Sequence, residues 1–176
     1  LTRFWTDEDL IIRRKMAEFE QAACYGLAVP CHYIDQGSSA MACALGCPME
    51  FVDRETVWAV PCLSSVGEVL DVVLDFDGPV YSRIRRLTQR STELSGGHHM
   101  VAPFALEGMT DIMAALLGIE PFLMALALDP AGVYQAMAHL KTLWLKAWAD
   151  IQSVIQGGPN DGGIGWAGIW APGSTF

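Results

Sequence analysis

The residues of this sequence that can do chemistry are a few carboxylates and tryptophans placed where apolar runs give way to loops. Asp35 follows the short β-prone run 27–34. A carboxylate delivered by the end of a strand can steady positive charge on a bound molecule or exchange a proton with it. It can equally cap its own turn, since Asp35-Gln36-Gly37 has the make-up of an Asx turn. Glu107 and Asp111 flank Gly108-Met109-Thr110 after a second apolar run, 99–105. Together they can hold a substrate, or Asp111 can serve the first turn of the helix beginning at Thr110. Trp166 and Trp170, among glycines at 163, 165 and 168, can form a flat wall against a planar or apolar ligand, or pack between elements.

Other reactive types read as structural. His32 differs in strand parity from Asp35, so the two face opposite sides and His32 is expected to be packed. His98 and His99 are adjacent, so only one of them can enter a site. Cysteines stand at 24, 31, 43, 47 and 62. This odd, scattered set, without a secretory-type start, predicts reduced thiols in a cytoplasmic protein. Cys43 and Cys47 are separated by Gly46 and have no second pair at zinc spacing, so core thiols and no bound metal are expected.

A formal charge of −9 argues against a nucleic-acid partner, whose phosphates need clustered Lys and Arg. The basic group Arg83, Arg85, Arg86 and Arg90 is spaced as one face of a helix and reads as solvated. Hydrophobic residues make up 52% of the chain, enough to build a core. The most apolar window, 112–128, is interrupted by Gly118 and Glu120-Pro121, short of the ~20 residues a membrane span needs. Two short buried helices are expected there, and no membrane partner.

The elements that must position these residues follow from periodicity and punctuation. Thr6 with Asp7, Glu8 and Asp9 predicts a capped helix from about 7 to 25. A strand at 27–34, a loop and a helix at 40–45 follow. Runs 49–52 and 56–60 about Asp53-Arg54-Glu55 predict a β-hairpin. Residues 66–77 alternate too loosely to assign. A helix is predicted over 79–94, a strand over 99–105, a helix over 110–118 and, behind Asp129-Pro130, a long helix over 130–156. The segment 163–170 reads as a glycine-tolerant strand.

Alternating strands and helices imply an α/β class with a parallel sheet. The first strand is not followed by the Gly-rich phosphate turn of a doubly wound sheet. Residues 1–176 are therefore expected to form one domain, about the first half of a (β/α)8 barrel with outer helices and a hairpin excursion, since a whole barrel takes about 250 residues. Two unpaired sheet edges predict homo-oligomerisation or poor solubility.

Taken in order, residues 28–46, the hairpin about Thr56-Val57-Trp58, residues 107–118, Asp129-Pro130 and residues 166–173 resemble the uroporphyrinogen decarboxylase superfamily, most closely its decarboxylase-like bacterial branch. The resemblance implies a (β/α)8 barrel that binds a small-molecule substrate, a tetrapyrrole or other polycarboxylate, and removes carboxyl groups without a cofactor, as in porphyrin biosynthesis. It implies for Asp35, ahead of Ala44-Leu45-Gly46, the role of stabilising positive charge on a protonated pyrrole. Where the family carries a tyrosine, residues 113–115 read Met-Ala-Ala. Related members are methyltransferases that use zinc and a corrinoid, and these cofactors enter only under that alternative. A non-catalytic small-molecule-binding barrel is the third reading.

Overall fold

The structure, a computed structural model, describes residues 1–26 and 28–156, with the backbone of 163–164 and 170–171. The chain opens with two helices, α1 (Thr2–Thr6) and α2 (Glu8–Gln21), divided by an extended Asp7. The cap of α2 is Asp7 rather than Thr6: its carboxylate accepts the Leu10 N–H at 2.9 Å, while the Thr6 hydroxyl donates to Thr2 O inside α1. The helix also stops at Gln21, short of the expected residue 25. Residues 22–25 are exposed, so no apolar contact repays further helical ordering.

Strand β1 (Cys31–Tyr33) pairs in parallel with a strand far along the chain, Met100–Ala102, with His32 opposite Val101. Both strands are shorter than the apolar runs that announce them. Pro30 and Pro103 lack the N–H groups that would extend the ladder at its two ends. A parallel pair needs a long crossover. Here the crossover holds α3 (Ala40–Ala44), the antiparallel hairpin β2 (Met49–Phe51) and β3 (Val57–Ala59), a 3-10 turn at Gly67–Asp71, and α4 (Pro79–Ser95), after which Met100–Ala102 is β4. The Asp53 carboxylate accepts the Glu55 and Thr56 N–H groups, each at 2.7 Å, and so shapes the hairpin turn.

Helix α4 is the hub. Tyr81, Ile84 and Leu87 are fully buried, and the Tyr81 hydroxyl donates to Asp150 at 3.0 Å. Its arginines do not form the expected solvated face. Arg86 pairs with Glu8 at 2.8 Å and Arg90 with Asp9 at 2.7 Å on α2, while Arg85 meets Asp150 at 3.1 Å on α7 (Pro130–Gln156). These half-exposed pairs fix orientation more than they add stability.

Helices α5 (Met109–Leu117) and α6 (Ile119–Leu128) meet at a 112° bend, where Gly118 takes φ 90°, a left-handed value that glycine adopts without strain. The expectation of two buried helices holds for α5, through Ile112, Met113, Leu116 and Leu117. It fails for α6, which buries only Phe122 and leaves Ile119, Leu123, Met124 and Leu128 exposed. No single described helix is long and apolar enough to cross a membrane, and α5 and α6 meet that test only as this bent pair.

In α7, buried Val133, Ala136, Leu140, Leu143, Ala147, Ile151 and Ile155 form one stripe at helical spacing, and Asp129 caps the start by accepting the Gly132 N–H at 3.0 Å. In place of the predicted single strand over 163–170, Gly163–Ile164 (β5) pairs antiparallel with Trp170–Ala171 (β6). The result is a mixed α/β fold, mostly helical, in which one parallel strand pair sits against α4 and shares a core with α3, α5 and α7.

Candidate functional site

Both strands of the parallel pair release their chains at the same end, β1 into Asp35 and β4 into the loop carrying Glu107. Glu107 is the one non-glycine residue with positive φ among the described residues, at 42°. A left-handed glutamate costs on the order of 1 kcal/mol and persists only where its surroundings impose it. Here the Trp144 indole N–H of α7 donates to the carbonyls of Leu106 and Glu107 and clamps the turn. The turn aims the carboxyl at α3, where Oε1 accepts the Met41 N–H at 3.3 Å. Oε2 is buried with no hydrogen-bond partner among the described residues. Burial pushes this carboxyl up to about 8, against the pull of the Met41 and Ala42 N–H groups and with a smaller push from Asp111.

Glu107 and Asp111 line the same cleft of about 580 Å³. Its walls come from the hairpin side through Trp58, Ala59 and Pro61, from Ser38 and Ser39 ahead of α3, and from Ala114 and Ala115 of α5. Asp111 also fills the capping role expected of it: its carboxylate accepts the Gly108 N–H at 3.2 Å. The lining holds no Lys or Arg, so the cleft suits a neutral or cationic group better than a bare anion. A protonated Glu107 offers a bound molecule a hydrogen-bond donor and a transferable proton; ionised, it offers an acceptor.

Asp35 is exposed, and Oδ1 accepts the Gly37 N–H at 2.9 Å, the Asx turn anticipated as one of its two roles. It opens on a separate depression of about 190 Å³, beside Tyr33, His32, Arg14, Lys15 and Arg54. The structure thus brings Glu107 and Asp111 together and leaves Asp35 in different surroundings. Tyr33 answers to both sides: burial first, then the charges of Asp35 and Glu107, push its phenol up to about 12. Trp166 lies outside the described residues, and of Trp170 only the backbone is described.

Two polar arrangements escape sequence reasoning. Gln36 is buried behind Asp35, where it donates to the carbonyls of Asp35 (2.9 Å) and Trp5 (3.3 Å) and accepts from Arg83 Nε at 2.8 Å. His32 is packed, as its parity predicts, but its Nδ1 lies 2.7 Å from Ser91 Oγ, which lies 3.1 Å from His99 Nε2. One serine can donate to one ring and accept from the other. Burial, then the charges of Lys15 and His99, hold His32 down to about 3, and burial lowers His99 too, so both rings are neutral near pH 7. The inward placement of Ser91 is signalled by its helical spacing from Tyr81, Ile84 and Leu87; its partners carry no such signal. Cys43 and Cys47 are buried thiols, as expected, though the sulfur nearest Cys47 is that of Cys62, at 3.5 Å. Among the described residues no three His, Cys, Asp or Glu side chains are grouped to hold a metal ion.

Fold and site define a mixed α/β protein with an acid-bearing cleft at the C-terminal end of a parallel strand pair. No protein-family model, curated protein or solved structure matches the chain.

Proposed function

We propose that this chain belongs to a decarboxylase-like enzyme of the uroporphyrinogen decarboxylase superfamily, a partial (β/α)8 barrel, in which Glu107 supplies a proton to a small molecule bound in the cleft. The barrel and the reaction rest on the sequence resemblance. The proton-donor role rests on one observation: Glu107 lines the cleft with one carboxyl oxygen buried and without a partner among the described residues, and burial keeps most of its carboxyl protonated at pH 7. In a cofactor-independent decarboxylation the electrons of the C–C bond stay on the substrate carbon as carbon dioxide leaves. That carbon takes the Glu107 proton, and solvent restores it.

The cleft lacks cations, so the remaining carboxylates of a polycarboxylate need partners elsewhere. Arg14 and Arg54 line the separate depression beside Asp35, where Lys15 is paired with Glu18 at 2.5 Å, and about 190 Å³ there takes a carboxylate arm rather than a ring system. Asp35 keeps an oxygen outside its Asx turn with which to meet positive charge on the substrate.

The test is carbon dioxide release from uroporphyrinogen and smaller polycarboxylates by the full chain. Glu107→Gln should lower turnover about 10²- to 10⁴-fold, and the wild-type rate should fall as pH rises past about 8. No release from any of these substrates overturns decarboxylation, and unchanged turnover in Glu107→Gln overturns the proton role. The cation-free lining also favours a binding-only reading, in which a neutral or cationic ligand is held without turnover.

A further inference from the structure

Cys47 and Cys62 stand at the open end of the hairpin, one before β2 and the other after β3. Between them the Val60 N–H donates to Pro48 O at 2.9 Å, the last rung of the hairpin on that side. Their sulfurs are 3.5 Å apart, and both cysteines are free. Each is also tied to α5: Cys47 Sγ donates to Ala115 O at 3.6 Å, and the Cys62 N–H donates to Leu116 O at 2.9 Å. The two differ in access, Cys62 being exposed and Cys47 buried. Trp58, Ala59 and Pro61 of the same segment form one wall of the Glu107 cleft, and Ala115 belongs to the opposite wall.

We propose that Cys47 and Cys62 are a peroxide-responsive thiol pair whose reversible disulfide pins the hairpin wall of the cleft. The exposed Cys62 thiolate attacks the terminal oxygen of a hydroperoxide; the O–O bond breaks, leaving a sulfenic acid on Cys62 and an alcohol, or water when the oxidant is hydrogen peroxide. Cys47 then attacks the Cys62 sulfur. The S–S bond forms, the S–O bond breaks, and the departing hydroxyl leaves as water with the Cys47 proton. Two thiols lose two electrons and the hydroperoxide gains them. Burial raises the Cys47 thiol well above its ordinary range, so the first step falls to the exposed Cys62, and Cys47 reacts only as its proton passes to the departing hydroxyl, across the 3.5 Å that separates the two sulfurs. The disulfide closes the hairpin covalently at its base, where only hydrogen bonds hold it in the reduced state. This holds whether or not the cleft is catalytic.

The full chain is exposed to hydrogen peroxide, its remaining thiols are blocked and it is digested with trypsin. Cleavage after Arg54 places Cys47 and Cys62 in different peptides. The expected product is a dithiothreitol-sensitive joined pair, two hydrogens lighter than the sum, whose fragment ions locate the link at Cys47 and Cys62. It should persist in Cys43→Ser and vanish in Cys62→Ser, an exposed position whose change leaves the fold intact. The amides of Val60 and Cys62 should exchange with deuterium about tenfold more slowly once oxidised. A link through Cys43, a link only between two copies of the chain, Cys62 passing to sulfinic acid unlinked, or unchanged amide exchange would each overturn the proposal.

Discussion

Asp35 and Glu107 are carboxylates that follow the two strands of one parallel pair at the same end, yet their surroundings have little in common. Asp35 is exposed, accepts the Gly37 N–H and shares a depression with Arg14, Arg54 and the Lys15–Glu18 ion pair. Glu107 is clamped by Trp144 in a left-handed conformation, with one oxygen on the Met41 N–H, the other without a partner among the described residues, and no Lys or Arg in the cleft lining among them. A place at the end of a strand therefore does not set a carboxylate's chemistry. What sets it is how much water and how many cations the rest of the fold leaves within reach.

The largest expected effect breaks or sharpens that contrast through pH. The folded chain holds the Glu107 proton with a pKa of about 8 against an ordinary 4.5, so the fold binds it more tightly than the unfolded chain does. This group leaves stability untouched below pH 4.5, lowers it as pH rises from there to 8, and exerts its full penalty above, on the order of 5 kcal/mol. In urea unfolding at pH 9, Glu107→Gln should exceed wild type by about that amount, whereas at pH 4 the two should agree within ~1 kcal/mol. Parallel stability curves from pH 4 to 9 would erase the contrast.

Next is the loop under Asp35. A Cβ on Gly37 would lie 2.6 Å from Val57 Cβ, at φ 90°. Gly37→Ala should cost about 2–4 kcal/mol, read as a lowered midpoint in thermal or urea unfolding. A loss below ~1 kcal/mol would mean that the Asp35 loop is not held against the hairpin.

The acid side should belong to the histidines. His32 falls from 6.5 to about 3 in the fold, so the unfolded chain binds the proton more tightly; its contribution is complete above pH 6.5 and is lost as pH falls from there toward 3. Ser91→Ala leaves two buried rings short of a partner and should cost about 1–3 kcal/mol at pH 7. A variant as stable as wild type would show that the rings do not depend on Ser91.

The smallest effect is expected at Asp35 itself. Asp35→Ala removes the acceptor of one exposed turn and should cost about 0.5–1.5 kcal/mol, while Asp35→Asn keeps an acceptor oxygen for the Gly37 N–H and should be close to neutral. A loss above ~2 kcal/mol in Asp35→Asn would reveal that the charge is engaged in the fold, against its exposed position.

Sequence alone determined most of the local structure. The helical spacing from Tyr81 to Ser91, the Asp129-Pro130 start of α7, the Asp53 turn of the hairpin and the core placement of Cys43 all follow from patterns that span a few residues, because helix and turn preferences are set by near neighbours. The same reasoning located Glu107 and Asp111 together after β4, and left Asp35 between two roles. Only the tertiary structure decided that Glu107 is desolvated, that Arg85, Arg86 and Arg90 pair with α7 and α2, that Ser91 joins His32 to His99, and that α6 shows its apolar side to solvent. Each of these depends on surfaces far apart in the chain, 66 residues between Met41 and Glu107 and 59 between His32 and Ser91. Burial and its electrostatic consequences belong to the packed whole, since a carboxyl loses its water only when distant segments close around it.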